Sequence, residues 1–175
     1  MPFTPFHMGV AMVAKPLLRG HFSVLTFGLA QIAMDLEPLV GMLRNSDVLH
    51  GWSHTVLGAL LIGIAVALTA PFVLGPMVRI LHHKASENRL GWVLHSGPPS
   101  QVAVWAGALT GTLSHVALDA LIHHDMLPFA PFSQGRPLLQ AIEHDAVYLL
   151  CAAAGAIGMA VWVVMRWRRG SSPER

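Results

Sequence analysis

Hydrophobic and polar residues fall along this chain in blocks. Three long apolar stretches, residues 53–81, 101–123 and 146–167, each hold the roughly 20 residues a helix needs to cross a bilayer. The first contains Pro71 and the Gly75-Pro76 pair, which predict a kink or a division into two pieces. The other two carry small residues, Gly107, Gly111, Gly155 and Gly158, of the kind that lets helices approach closely in lipid. Two further apolar segments, 5–18 and 21–40, surround a basic turn at Lys15-Pro16 and Arg19-Gly20. They predict two shorter helices, the second reaching Asp35. A helix of about 14 residues spans only about 21 Å against a hydrocarbon core of about 30 Å. Such helices are expected to be half-inserted or packed against the longer ones. The fold expected is an all-α polytopic membrane bundle, with about three full spans and two shorter N-terminal helices. It forms a single domain over residues 1–169, followed by a tail at 170–175. No internal repeat or low-complexity tract interrupts it.

Composition agrees with this pattern. The chain is 54% hydrophobic and 11% charged, where soluble domains carry about a quarter charged residues, and its mean hydropathy is +0.55. The N-terminal "MPFTPFHMGV" lacks the basic region and small-residue cleavage site of a signal peptide and is expected to be retained. The lone Cys151 excludes an internal disulfide and a cysteine-built zinc site. A formal charge of +2 gives no reason to expect a nucleic-acid partner.

The distribution of charge says more than its sum. Lys15, Arg19, Arg79, Lys84, Arg89, Arg166, Arg168, Arg169 and Arg175 fall on one side of the predicted helices, and only Arg44 and Arg136 on the other. The positive-inside bias then makes the 15–20 turn, the 82–100 loop and the C-terminus cytoplasmic, with Trp167 as an interfacial anchor. Residues 36–52 and 124–145 fall outside. The latter segment, with Pro128, Phe129, Pro131, Phe132, Pro137 and Leu138, is too apolar for a bare solvent loop and is expected at the membrane interface, among lipids.

Ionisable residues break the apolar pattern on that outer side. "HGWSHT" places His50 and His54 four apart at the mouth of a predicted helix, and "SHVALDALIHHD" places His115, Asp119 and His123 along one helical stripe. Helical residues four apart have side chains about 6 Å apart and can share one metal ion. Imidazole and carboxylate are ligands that suit zinc, with iron or manganese less suited. For His50 and His54, helix starts also attract polar residues, so packing stands beside metal binding. For His115 and Asp119, an ionised carboxylate at membrane depth costs about 3 kcal/mol or more, which makes such a residue functional by default. A plain Asp–His hydrogen bond is the competing explanation. His21, His82, His83 and His95 sit at the basic side as ordinary loop residues, and Asp145 reads as the N-cap of the last helix.

Several pieces together resemble a known family: "MPFTPFH" at the start, Asp35 in "MDLEP", "HGWSHT", and "SHVALDALIHHD" leading into a proline-rich segment. The chain is similar over nearly its whole length to the small bacterial membrane-bound metal-dependent hydrolases of the inner membrane. Their pattern has an early His, an Asp-x-Asp-His segment, a His-Arg-x-x-His segment and a Ser-His-x-x-x-Asp segment. His7, Asp35, His50, His54, His115 and Asp119 match it position by position. Glu37 stands for the second Asp, Pro38 for the following His and Gly51 for the Arg. Loss of that Arg removes a possible clamp for phosphate or carboxylate. That family is in turn distantly similar to zinc-dependent phospholipase C and the single-strand-specific zinc nucleases.

The resemblance implies a hydrolase that activates water on a divalent metal, zinc by preference, and acts on a phosphoester or lipid-like substrate. The expected metal ligands are His7, Asp35, His50, His54, His115, Asp119 and His123. Asp35 and Glu37 are the expected catalytic carboxylates, Asp35 bridging ions or orienting water and Glu37 a ligand or its support. The alternative is a non-catalytic metal-binding membrane protein, a carrier or a structural site. A scaffold in which the polar residues only lock helix packing is the third reading.

Overall fold

A computed structural model describes residues 4–87 and 98–170. Five helices follow one another: α1 (Thr4–Leu18), α2 (Val24–Leu43), α3 (Val56–Glu87), α4 (Gln101–Ile122) and α5 (His144–Gly170), and no strand occurs among the described residues. Arg89, His95 and the tail 171–175 lie outside the described residues, as do the side chains of His82 and Arg169.

Three helices are long and apolar enough to cross a membrane: α2, the Val56–Ile80 part of α3, and the His144–Arg168 part of α5. α2 extends further than its sequence suggests, through Pro38 to Leu43. Ser23 starts it by accepting the Thr26 N–H at 3.2 Å, which satisfies one of the orphan donors of the first turn. α4, expected as a full span, is equally long but carries His115 and Asp119 in its second half, and that dilutes its apolar character. α3 is one continuous helix despite Pro71 and Pro76, so these prolines do not divide it. α5 begins at His144, two residues earlier than expected, which leaves Asp145 in its first turn rather than at its N-cap.

Small residues set how the helices meet. A Cβ on Gly9 would lie 2.2 Å from the Cys151 carbonyl oxygen, and one on Gly158 would lie 2.4 Å from that of Met12. α1 and α5 therefore touch backbone to backbone, the mode favoured where no hydrophobic effect drives helices together in lipid. The same device joins α4 to α2, where a Cβ on Gly107 would meet the Ser23 carbonyl oxygen at 2.4 Å. Ser23 also donates its N–H to the Ala103 carbonyl at 3.1 Å, which pins the starts of α2 and α4 together. Between α2, α3 and α4 lies an apolar core built on Ala30, Val66, Ala67, Ala70, Val104 and Ala108. Outward-facing Leu68, Phe72, Leu149 and Ile157 are exposed, as befits helices turned toward lipid.

The chain reverses direction at each connection. The basic turn between α1 and α2 is fixed by the Lys15 ammonium, which donates to the carbonyls of Arg19 at 2.9 Å and Phe22 at 2.8 Å. At the other end the 123–143 segment folds back under the bundle. Pro128 accepts the Val56 N–H at 2.8 Å, and Met126 joins the core beside Met34, Ala59 and Val116. His7, Asp35, His50, His54, His115, Asp119 and His123 thus all belong to this one end.

Two glycines predict opposite outcomes. Gly107→Ala forces a methyl group into the α2 backbone and should lower stability by about 1–3 kcal/mol. Gly75→Ala meets nothing within 4 Å and should raise stability by about 0.5–1 kcal/mol through helix propensity. Thermal melting of the helical signal in detergent checks both; equal shifts would contradict the packing described.

Candidate metal centre

At the centre of the cluster is Asp119, its side chain fully buried on α4. The helical spacing of four brings His115 Nε2 to 3.1 Å from Asp119 Oδ2. α1 contributes His7, whose Nε2 lies 3.3 Å from Oδ1. The connection before α3 contributes His54, with Nε2 3.7 Å from Oδ2. His123 follows α4, and its Nε2 lies 3.8 Å from Oδ1. From α2, Asp35 Oδ1 approaches His115 Nε2 at 3.4 Å.

The spacing in "HGWSHT" does bring two imidazoles together, with ring centroids 4.8 Å apart, but not on a helix. Trp52–His54 form a single 3₁₀ turn, and α3 begins only at Val56. His123 also lies just beyond its helix. It caps α4 by donating its N–H to the Asp119 carbonyl at 2.8 Å, and its ring stacks on His50 at 4.1 Å.

A support behind three of the imidazoles, His50, His54 and His115, decides which nitrogen faces inward. His115 Nδ1 lies 2.6 Å from Gln31 Oε1. The Gln31 amide group donates to the Gly111 carbonyl at 2.9 Å, which fixes its oxygen toward the ring. His115 therefore carries its proton on Nδ1. His50 Nδ1 lies 2.9 Å from Asp125, and His54 Nδ1 lies 2.9 Å from Ser53 Oγ. Ser53 in turn donates both its hydroxyl and its N–H to Glu37 Oε2. With Nδ1 protonated in all three, each Nε2 presents a lone pair to the cluster. The Nε2 atoms of His50, His54, His115 and His123 and both Asp119 oxygens are buried with no hydrogen-bond partner.

Burial and the neighbouring His115 lower the His54 imidazole to a pKa of about 4, against the opposing pull of Asp119; His50 lowers it further and Glu37 opposes. It is neutral at physiological pH, the form that binds a metal. Burial would raise Asp125, but the backbone and side chain of His50 and the N–H of Leu49 hold it down at about 2. It stays a carboxylate behind His50.

Lone pairs converging on lone pairs repel unless a cation lies among them. Four overlapping trios have ligand atoms within 4.8 Å of one another: His7–His115–Asp119, Asp35–His54–His115, His50–His54–Asp119 and His50–His123–Asp125. Every ligand expected from the sequence is in at least one of them. A single Asp–His hydrogen bond does not account for four imidazoles facing one carboxylate. The donor set fits a divalent metal of the zinc type, and the supports behind His50, His54 and His115 are those that orient metal-bound histidines.

Glu37 belongs to none of these trios. It reaches His54 through Ser53 and lies 3.7 Å from His54 Nδ1, the face turned away from the cluster. A Cβ at Gly51 would meet Glu37 Oε1 at 2.5 Å, so the longer acid at 37 occupies the space a side chain at 51 would need. His144 pairs with Asp145 at 3.4 Å, well exposed, and is not in the cluster. Sequence reasoning missed Gln31, Ser53 and Asp125. Gln31 carried a signal, an amide inside the apolar run "FGLAQIAM", and Asp125 closes the motif "SHVALDALIHHD" among the outer ionisable residues; Ser53 carried none.

Gln31→Leu keeps the volume but removes the acceptor for His115 Nδ1. Metal affinity should fall about 10–100-fold with the helical fold retained, as measured by competition with a chromogenic chelator. Unchanged affinity would remove Gln31 from the site.

No curated protein and no solved structure matches this chain. Residues 1–175 match a family described as a domain of unknown function, DUF4184, and the protein belongs to that family.

Proposed function

We propose that this protein is a metal-dependent hydrolase of the bacterial inner membrane, with its site facing outward and a lipid-like ester or phosphoester as substrate. The observation that carries this reading is the convergence of three unpartnered imidazole nitrogens, of His54, His115 and His123, on the two oxygens of Asp119, with His50 Nε2 beside them and the rings of His50, His54 and His115 held from behind at Nδ1. His7, Asp35, His50, His54, His115, Asp119 and His123 would hold the metal, zinc by the chemistry of the donors. A divalent ion there supplies a Lewis acid and lowers the pKa of bound water toward neutrality.

The residues divide the remaining work. Fully buried His54, His115 and Asp119 form the floor, while the side chain of Asp35 is 22% exposed at the rim. Asp35 reaches the cluster through His115 and is also open to entering molecules, which suits it to accept a proton from water at the scissile bond, whereas the partly exposed Asp125 is engaged by His50. Glu37 keeps His54 in place through Ser53. The segments around the opening expose Leu36, Leu39, Trp52, Phe129 and Phe132, an apolar rim that favours a substrate with a hydrocarbon tail. The resemblance to membrane-bound metal-dependent hydrolases supports the same reading.

Purified without chelator, the protein should carry one or two zinc ions per chain. His115→Ala and Asp119→Ala should lose most of the metal, and His83→Ala should keep it. Detergent-solubilised protein should hydrolyse a phospholipid or a chromogenic phosphodiester or carboxylic ester. Chelation should abolish the activity, and Asp35→Asn should reduce it about 10²-fold or more. Metal-loaded protein inert toward all three substrates would favour the non-catalytic reading, and hydrolysis surviving both chelation and Asp35→Asn would refute the mechanism.

Orientation is tested separately. A reporter active only in the cytoplasm should work when fused after Arg175, and a cysteine at Gln134 should be labelled from outside by an impermeant thiol reagent. Labelling from the cytoplasmic side alone would reverse the topology.

A further inference from the structure

A second cleft opens at the end of the bundle remote from the histidines. It lies between the end of α1, the turn at 19–21 and the second half of α5, with a volume of about 760 Å³. Leu17, Ile157, Val161 and Met165 give it apolar walls, and Arg19 and His21 line the same space. Arg19 and His21 are both exposed. The turn that carries them is held in shape by Lys15, whose ammonium donates to the carbonyls on either side of it. Twelve residues of chain separate His7 from Arg19, about 18 Å at the helical rise, so this cleft shares nothing with the metal-ligand cluster.

A cleft with long apolar walls and two basic side chains matches a molecule with a hydrocarbon tail and one anionic head. The volume is in the range of ligand sites, about 300–1,000 Å³. One wall of the cleft is α5, a helix long and apolar enough to cross a membrane, and basic pockets beside membrane-spanning helices take anionic lipid headgroups. We propose that the α1/α5 cleft binds one anionic phospholipid. Its acyl chain lies along Leu17, Ile157, Val161 and Met165. Its phosphate meets the Arg19 guanidinium, whose planar fork can donate two parallel hydrogen bonds to phosphate oxygens. The lipid clamps the far end of the helix that presents His7. This inference rests on the membrane location alone and is independent of the hydrolytic reading.

The test uses the full chain in nanodiscs of equal parts phosphatidylglycerol and phosphatidylcholine, released into native mass spectrometry. One phosphatidylglycerol should remain per chain, in preference to phosphatidylcholine. Arg19→Gln should reduce that retention about fivefold, since one cation near the headgroups contributes about 1 kcal/mol. Arg19→Lys should keep most of it. Val161→Phe, which fills the cleft, should reduce retention of both lipids. Arg79→Gln, on α3 at the same basic end but outside the cleft, should change nothing. The helical circular-dichroism signal measured in parallel should stay at the wild-type level in every variant, which separates loss of lipid from loss of fold. Equal retention of the two lipids overturns the proposal. So does wild-type retention in Arg19→Gln or Val161→Phe, an equal loss in Arg79→Gln, or a dimer whose partner covers the cleft.

Discussion

A carboxylate buried without donors is the constraint around which this protein is arranged. Asp119 is fully buried, neither of its oxygens has a hydrogen-bond partner, and its helix lies within a membrane-type bundle. Ionised at such depth it costs about 3 kcal/mol or more, and within α4 only His115 lies against it, at 3.1 Å. The compensation has to come from other elements. α1 brings His7, the segment before α3 brings His54, and the residue after α4 brings His123. His54 and His115 offer lone pairs rather than protons because their Nδ1 atoms are engaged, so they do not neutralise the charge. The arrangement is a candidate site for a cation.

Gathering four chain segments around one side chain demands close packing along the rest of the bundle. The glycines supply it. Gly107 lets α4 lie against the start of α2, and Gly111 would place a Cβ 2.7 Å from that of Ala30, one residue before Gln31. The Gly111 carbonyl then accepts from Gln31, whose oxygen holds His115. Packing and chemistry meet in that pair, because the contact that joins α2 to α4 is also what selects the His115 tautomer. On α1 the Gly9 contact with α5 lies two residues from His7, so the position of that ligand depends on α5 although α5 contributes no ligand.

What could be read from the sequence follows the range of each interaction. The all-helical architecture and the pairing of His115 with Asp119 depend on contacts within one helix, and the apolar blocks and the spacing of four reveal them. The ligands gather at one end because the helices alternate in direction, which follows from counting apolar runs. The neighbours of His50 and His54 come out right for the wrong reason, since a 3₁₀ turn rather than a helix sets them side by side. Gln31 and Asp125 act across 84 and 75 residues of chain, and no local pattern carries information over that separation. The extension of α2 through Pro38 likewise depends on tertiary burial of that residue, which overrides the usual stop signal.

The same geometry bears on whether the cluster passes a cation on or keeps it. A carrier needs polar groups that continue the path toward the opposite side. Between the cluster and the basic end, the space enclosed by α2, α3 and α4 is filled by Ala30, Val66, Ala67, Ala70, Leu74, Val104 and Ala108. These methyl and isopropyl groups offer no ligand to a leaving ion, and dehydrating a divalent cation among them is prohibitive. Such a core closes the side toward the basic end, while Asp35, Asp125, Glu37 and His123 are partly exposed on the other. For the proposed hydrolase, a buried floor and a partly exposed carboxylate beside it suit a reaction at the membrane surface better than transport through it.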